Sequence, residues 1–226
     1  MSLFVKGIEK QFQEIANAEK AIWSKAYMKD QFDFFGIETA TRRKLTKEYF
    51  KQTPIDFNKQ IQSIVEECFN RKEREFQYFA VELISFYKKE WNVSIIKTLE
   101  YCILHKSWWD SVDHVCSECL DDYFNKFPEK IITVTQKWNQ SENIWLQRSS
   151  IMFQKFFKEK TDTELLSKYI LHTKDSKDFF VQKAIGWALR EYAKTNPNWV
   201  QKFVTINTNS LPALSKREAL KHFSKE

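Results

Sequence analysis

The stretch His105 to Cys116, HKSWWDSVDHVC, holds two adjacent tryptophans and two aspartates in a run without proline or glycine. Wound as a helix, it stacks Trp109 and Asp113 one turn apart on a single face. A large apolar plane beside a carboxylate is an uncommon pairing to expose. A fixed carboxylate can stabilise a developing cation through its field, or orient and deprotonate a water. The plainer reading makes Trp108 and Trp109 core anchors and leaves Asp110 and Asp113 as solvated charges. His114, Cys116 and Cys119 follow as H-x-C-x-x-C, but no second pair is spaced to complete a tetrahedral site, so no metal is expected. Four cysteines are too sparse for a disulfide scaffold, and reduced thiols are expected.

The elements that must position these residues read as helices. Only 3 glycines and 4 prolines occur in 226 residues, little material for the tight turns of an all-β fold. Apolar spacing places helices over 3–16, 18–32, from Thr39 or Thr41 to Pro54, 57–69, 73–89 and 93–106. The next is opened by Ser107 as N-cap, with Asp110 in its first turn, and closed by Pro128. Helices over 129–138, 143–158, 163–172, 178–194, 197–204 and 215–224 complete the chain. No convincing alternating strand lies between them, and the fold class is all-α.

Short loops between helices of similar length point to a repeat. Gln77, Gln147 and Gln182 each follow an apolar residue and are separated by 70 and 35 residues, and the missing step falls on Val112. Two helices per 35 residues is the pattern of a HEAT-like helical-pair solenoid, whose stacking generates a concave surface. In this register Arg74, Trp109, Ile144 and Phe179 form one row. Tyr78, Asp113, Arg148 and Lys183 form the next, and Glu82, Ser117, Met152 and Trp187 a third. The rows are spaced by four, so they make one stripe on each helix. Charges at Asp113, Arg148 and Lys183 predict a solvent-facing stripe that lines the groove, since unpaired charges are rarely buried. The alternative is a buried network in which Asp113 pairs with Arg148 and fixes helix packing.

A net charge of +6 and a pI near 9.0 suit a polyanionic partner. The cations recur late, at Arg148, Lys155, Lys158, Lys183, Arg190, Lys194, Lys216, Arg217 and Lys221. With 42% hydrophobic and 29% charged residues the chain is expected to be globular, and no apolar run is long enough for a membrane span. The N-terminus reaches Glu9 before a secretory apolar region develops, which predicts a cytoplasmic protein.

Four motifs carry a resemblance: KSWWDSVD at 106–113, NIWLQR at 143–148, KAIGWALREYAKTNP at 183–197 and LSKREA at 214–219. With the N-terminal segment from Lys20 to Gly36, they resemble the AlkD-like DNA alkylation repair glycosylases, helical-repeat proteins of the HEAT-like type, over essentially the whole chain as one domain. The resemblance implies excision of N3- and N7-alkylated purines, such as 3-methyladenine and 7-methylguanine, from duplex DNA without base flipping. It places the catalytic aspartate on Asp113, the flanking tryptophans on Trp109 and Trp187, and a backbone-contacting arginine on Arg148. It also implies that the helix carrying Tyr27 helps close over DNA. Phe179, Lys183 and Arg190 join these as expected DNA contacts. No cofactor is implied, and a monomer suits a groove that admits a duplex. Glu38 departs from the family, which carries glutamine there; a carboxylate near phosphates would weaken binding or alter lesion preference. Two rivals remain: a non-catalytic DNA-binding solenoid, which predicts salt-sensitive binding without base release, and a protein-interaction scaffold, which predicts no DNA affinity.

Overall fold

In the computed structural model, which describes residues 2–221 and 223, every regular element is helical. No strand forms among the described residues, and a single isolated bridge joins Asp33 and Glu73. The chain divides into two compact units, Met1–Lys106 and Ser107–Glu226.

The first unit holds α1 (Leu3–Glu14), α2 (Ala18–Tyr27), α3 (Thr39–Gln52), α4 (Phe57–Phe69), α5 (Glu75–Phe86) and α6 (Ile95–Leu104). Ser2, Asn17 and Asp56 accept backbone N–H groups at the starts of α1, α2 and α4, satisfying donors that a helix leaves open. α3 starts differently: Glu38 holds the N-cap position without a side-chain cap bond, and Thr39 is already helical. Val5, Ile8 and Phe12 of α1 are fully buried, and Phe12 packs edge-on against Phe76 and Phe79. Each such ring contributes about 1.5–3 kcal/mol by leaving water. α2 buries no residue, and its Trp23 and Tyr27 stack face to face in solvent, with centroids 5.3 Å apart. The loop after it is latched by Glu75, whose buried carboxylate accepts N–H groups from Phe35, Gly36 and Ile37 at 3.1, 2.9 and 3.2 Å. Gly36 sits at φ 77°, where a Cβ would meet Asn17 O at 2.2 Å.

The second unit holds α7 (Trp109–Val115), α8 (Asp121–Lys126), α9 (Ile131–Asn139), α10 (Ile144–Met152), α11 (Thr163–Thr173), α12 (Phe179–Ala193), α13 (Pro197–Ile206) and α14 (Ala213–Leu220). Second helices of successive pairs pack side by side, α7 on α10, α10 on α12 and α12 on α14. The repeat is written in hydrogen bonds. Asn143 caps α10 and Asp178 caps α12, each taking two backbone N–H groups, while Ser141 and Ser176 cap the cap residues in turn. Gln147 donates to Ser141 O at 2.8 Å and Gln182 to Ser176 O at 2.9 Å, each reaching six residues back to the preceding turn. That shared tether is what the 35-residue spacing of glutamines records.

Three sequence expectations give way here. Ser107 does not hold the N-cap position of α7: Trp108 is the extended residue there and the helix begins at Trp109. The helix expected through to Pro128 is interrupted by a π-helical turn, Cys116–Leu120, between α7 and α8. α10 ends at Met152 rather than reaching Lys158, and the expected end of the last helix at Ser224 lies outside the described residues.

Candidate active site

Asp113 projects from the first turns of α7, one turn from Trp109. Its carboxylate is held in a two-pronged grip: Arg148 Nε donates to Oδ1 at 2.7 Å and Nη2 to Oδ2 at 2.8 Å. The third arm of the guanidinium, Nη1, donates to Phe180 O at 2.6 Å. Planar guanidinium and planar carboxylate match in this geometry, which fixes orientation as well as distance. The Arg148 side chain is 1% exposed and that of Asp113 21%, so the carboxylate shows an edge to solvent while its clamp does not.

The stripe therefore does not face solvent along its length. Arg148 is buried with its three nitrogens donating inside the protein, so the alternative, in which Asp113 pairs with Arg148, is the arrangement that forms. In the first unit Arg74 is buried too, lying 3.8 Å above the Phe32 ring and donating to Lys106 O, while Glu82 is held by Arg42 and Thr46. A charge tolerates burial where its partners satisfy it.

Trp187 and Lys183 lie on α12, one turn apart. The centroid of the Trp187 ring is 5.0 Å from Lys183 Nζ, 5.1 Å from the Arg148 guanidinium, 5.8 Å from Lys155 Nζ and 5.9 Å from the Arg190 guanidinium. Sequence reasoning missed the carboxylate that pairs with two of these cations, Lys183 and Arg190. Glu218 of α14, with a side chain 3% exposed, pairs through Oε1 with Lys183 at 3.1 Å and Lys221 at 2.7 Å. Its Oε2 accepts from Arg190 Nη1 at 3.1 Å and Trp187 Nε1 at 3.3 Å. Burial raises the Glu218 carboxyl, but hydrogen bonds and charges from Lys221 and Lys183 outweigh it and hold it at about 2. A signal for it existed: Glu218 is one further 35-residue step beyond Lys183 in the row Tyr78, Asp113, Arg148, Lys183.

Trp108 packs between Trp145 and Phe180, at 6.0 and 5.1 Å, and its Nε1 is buried without a hydrogen-bond partner. Phe179 is 56% exposed at the start of α12. Tyr27, half-exposed, belongs to α2 of the first unit and stacks on Trp23. Glu38 is ion-paired with Lys20, whose hydrogen bond and charge lower its carboxyl. Cys116 and Cys119 are buried, and burial with the nearby Asp113 charge pushes the Cys116 thiol up to about 12. No group of three or more His, Cys, Asp or Glu among the described residues is arranged to hold a metal ion. No helix among them is long and apolar enough to cross a membrane.

Comparison with known proteins places this geometry in context. The sequence pattern of a family described as "DNA alkylation repair enzyme" matches residues 8–223. A solved structure described as a predicted DNA alkylation repair enzyme from Enterococcus faecalis is 32% identical, with a TM-score of 0.85 over 93% of this chain and 98% of that one. AlkD2 from Streptococcus mutans superposes with a TM-score of 0.60 at 15% identity, over 82% and 90% of the two chains. The structure of smu.31 from Streptococcus mutans UA159 does so with 0.58 at 16%, over 80% and 90%. The last two show a shared fold. No protein of curated function matches the sequence.

Proposed function

Because the chain belongs to the family of DNA alkylation repair enzymes, we propose that it is a DNA glycosylase that releases N3- and N7-alkylated purines, 3-methyladenine and 7-methylguanine among them, from duplex DNA. The observation that carries the proposal is Asp113: a partly exposed carboxylate locked in place by a buried arginine and stacked one turn from Trp109.

Alkylation at N3 or N7 makes the purine cationic, so it leaves as a neutral base without being protonated. No general acid is needed, and the task left to the protein is to stabilise the sugar cation that forms as the glycosidic bond lengthens. A preorganised carboxylate does this without reorienting during the reaction, which is where electrostatic catalysis gains most. Arg148 occupies one lone-pair direction on each Asp113 oxygen and leaves the carboxylate edge to face the sugar and the attacking water. Trp109 and Trp187 offer π faces to the cationic nucleotide, worth about 0.5–2 kcal/mol each. Lys155, Lys183 and Arg190, around Trp187, draw in the phosphodiester backbone; Phe179 adds an apolar surface to this site, and Tyr27, on the first unit, is a DNA contact in its own right. Selectivity then rests on the lability of the cationic lesion, and extrusion of the base is not required.

The test is incubation of the protein with methylated duplex DNA and chromatography of the released bases. Free 3-methyladenine or 7-methylguanine above the spontaneous rate supports the proposal. Salt-sensitive binding with no release supports a non-catalytic DNA binder instead.

A further inference from the structure

We propose that Glu218 is a positioning residue of this site, setting the Trp187 indole and serving as the resident counter-anion that governs how strongly Lys183 and Arg190 hold duplex DNA. The inference rests on the glycosylase reading and deepens it.

The first support is how closely α14 is seated. A Cβ at Gly186 would lie 2.4 Å from Glu218 Cβ and 2.8 Å from Ser215 O, so only glycine lets α14 approach α12 this far. Ser215 Oγ then donates to Gln182 O at 2.8 Å, one turn before Gly186. With α14 seated this closely, Glu218 reaches Trp187 and the cations beside it.

The second support is how the charge is shared. Glu218 is shut off from solvent, while the side chains of Lys183 and Arg190 are 19% and 34% exposed. Each of these cations is held from inside by the carboxylate and remains approachable from outside by a phosphate. One carboxylate faces three cations, Lys183, Arg190 and Lys221, so the cluster stays positive yet ordered. A built-in anion also takes the place of solution ions around those cations, so fewer ions are released when DNA binds and the salt dependence is shallower than the number of cations implies. The same carboxylate fixes the indole plane through Trp187 Nε1.

Two variants of the full chain separate these roles: Glu218→Gln and Glu218→Asp. Each is assayed for duplex binding between low and moderate salt, and for single-turnover release of 7-methylguanine with enzyme in excess. The glutamine keeps an acceptor for Trp187 and Arg190 but turns an NH2 on the lysines. It is expected to steepen the salt slope by about 1–2 and to tighten binding at low salt. The aspartate keeps the charge but is one methylene short of the indole. It is expected to keep the wild-type slope and slow release about tenfold, on the scale of a lost orienting contact. An unchanged slope in Glu218→Gln overturns the counter-anion role, and wild-type release by Glu218→Asp overturns the positioning role. Should Glu218→Gln fail to fold, as read by circular dichroism, Glu218→Asp decides alone, because a changed slope there also overturns the charge argument. Wild-type protein that binds DNA but releases no base refutes the glycosylase reading and leaves the binding arm standing on its own.

Discussion

Replacing Asp113 by asparagine removes one charge and almost no volume, and the structure says what each part of the loss costs. An amide can still accept from Arg148 Nε, but its NH2 then opposes Nη2, which donates to Oδ2 at 2.8 Å in the native protein. A guanidinium that is 1% exposed is left without its counter-charge. Breaking a fully buried pair this way costs about 3–5 kcal/mol. Asp113 is one-fifth exposed, and solvent relief brings the expected loss to about 2–3 kcal/mol. At this chain length that is a fall in Tm of about 5–10 °C. Base release suffers separately: loss of one preorganised electrostatic group from an active site typically costs about 100- to 1,000-fold in rate. The double variant Asp113→Asn with Arg148→Met removes the stranded cation, so it should melt above Asp113→Asn alone while remaining as inactive. Thermal melts and single-turnover release on a methylated duplex give both numbers. Melting of Asp113→Asn with the wild type, or recovery of release in the double variant, would overturn this role for the Asp113–Arg148 pair.

Glu218 predicts an acid limb of stability. Its carboxyl is held at about 2 in the folded protein against an ordinary 4.5, so the unfolded chain takes up the proton first as pH falls. About 2–3 kcal/mol of stability present above pH 5 is lost between pH 4.5 and 2, and Glu218→Gln flattens this limb in melts across that range. Glu75, raised by burial, works in the opposite direction, so the difference between wild type and Glu218→Gln isolates the Glu218 part. Gly186→Ala must push α14 off α12, costing about 1–3 kcal/mol by overpacking, and should slow base release with it; unchanged melting would contradict the close seating of α14. Glu75→Ala strands the N–H groups of Phe35, Gly36 and Ile37 at a cost of about 2–4 kcal/mol, and hydrogen exchange at those three amides should accelerate at least tenfold.

The repeat was legible because its parts are local. Asn143 and Asp178 announce the starts of α10 and α12 as caps, and Gln147 and Gln182 sit at one offset because each ties its helix to the turn six residues back. Ser107 had the right chemistry for a cap but lost the position to Trp108, whose ring is drawn back against Trp145 and Phe180; tertiary packing overrode a local preference. The π-helical turn after Val115 leaves no mark in apolar spacing. Burial of Arg148 was illegible as exposure yet legible as pairing, since Asp113 lies one period away and offers the matching charge. Glu218 went unassigned because its partners Lys183, Trp187 and Arg190 lie 28–35 residues back in the chain. Only the repeat register, carried one step further, brings them together.

The proposed function turns on Asp113, clamped by Arg148, stabilising the sugar cation as the glycosidic bond of a cationic purine breaks. Its most direct test is the single-turnover rate of 7-methylguanine release from a duplex carrying one such lesion, measured for wild type, Asp113→Asn and no protein, with the bound fraction matched by anisotropy. Release is expected well above the spontaneous rate for wild type and close to it for Asp113→Asn at equal occupancy. Release by Asp113→Asn at the wild-type rate, or none by wild type on fully bound DNA, would contradict the proposed function.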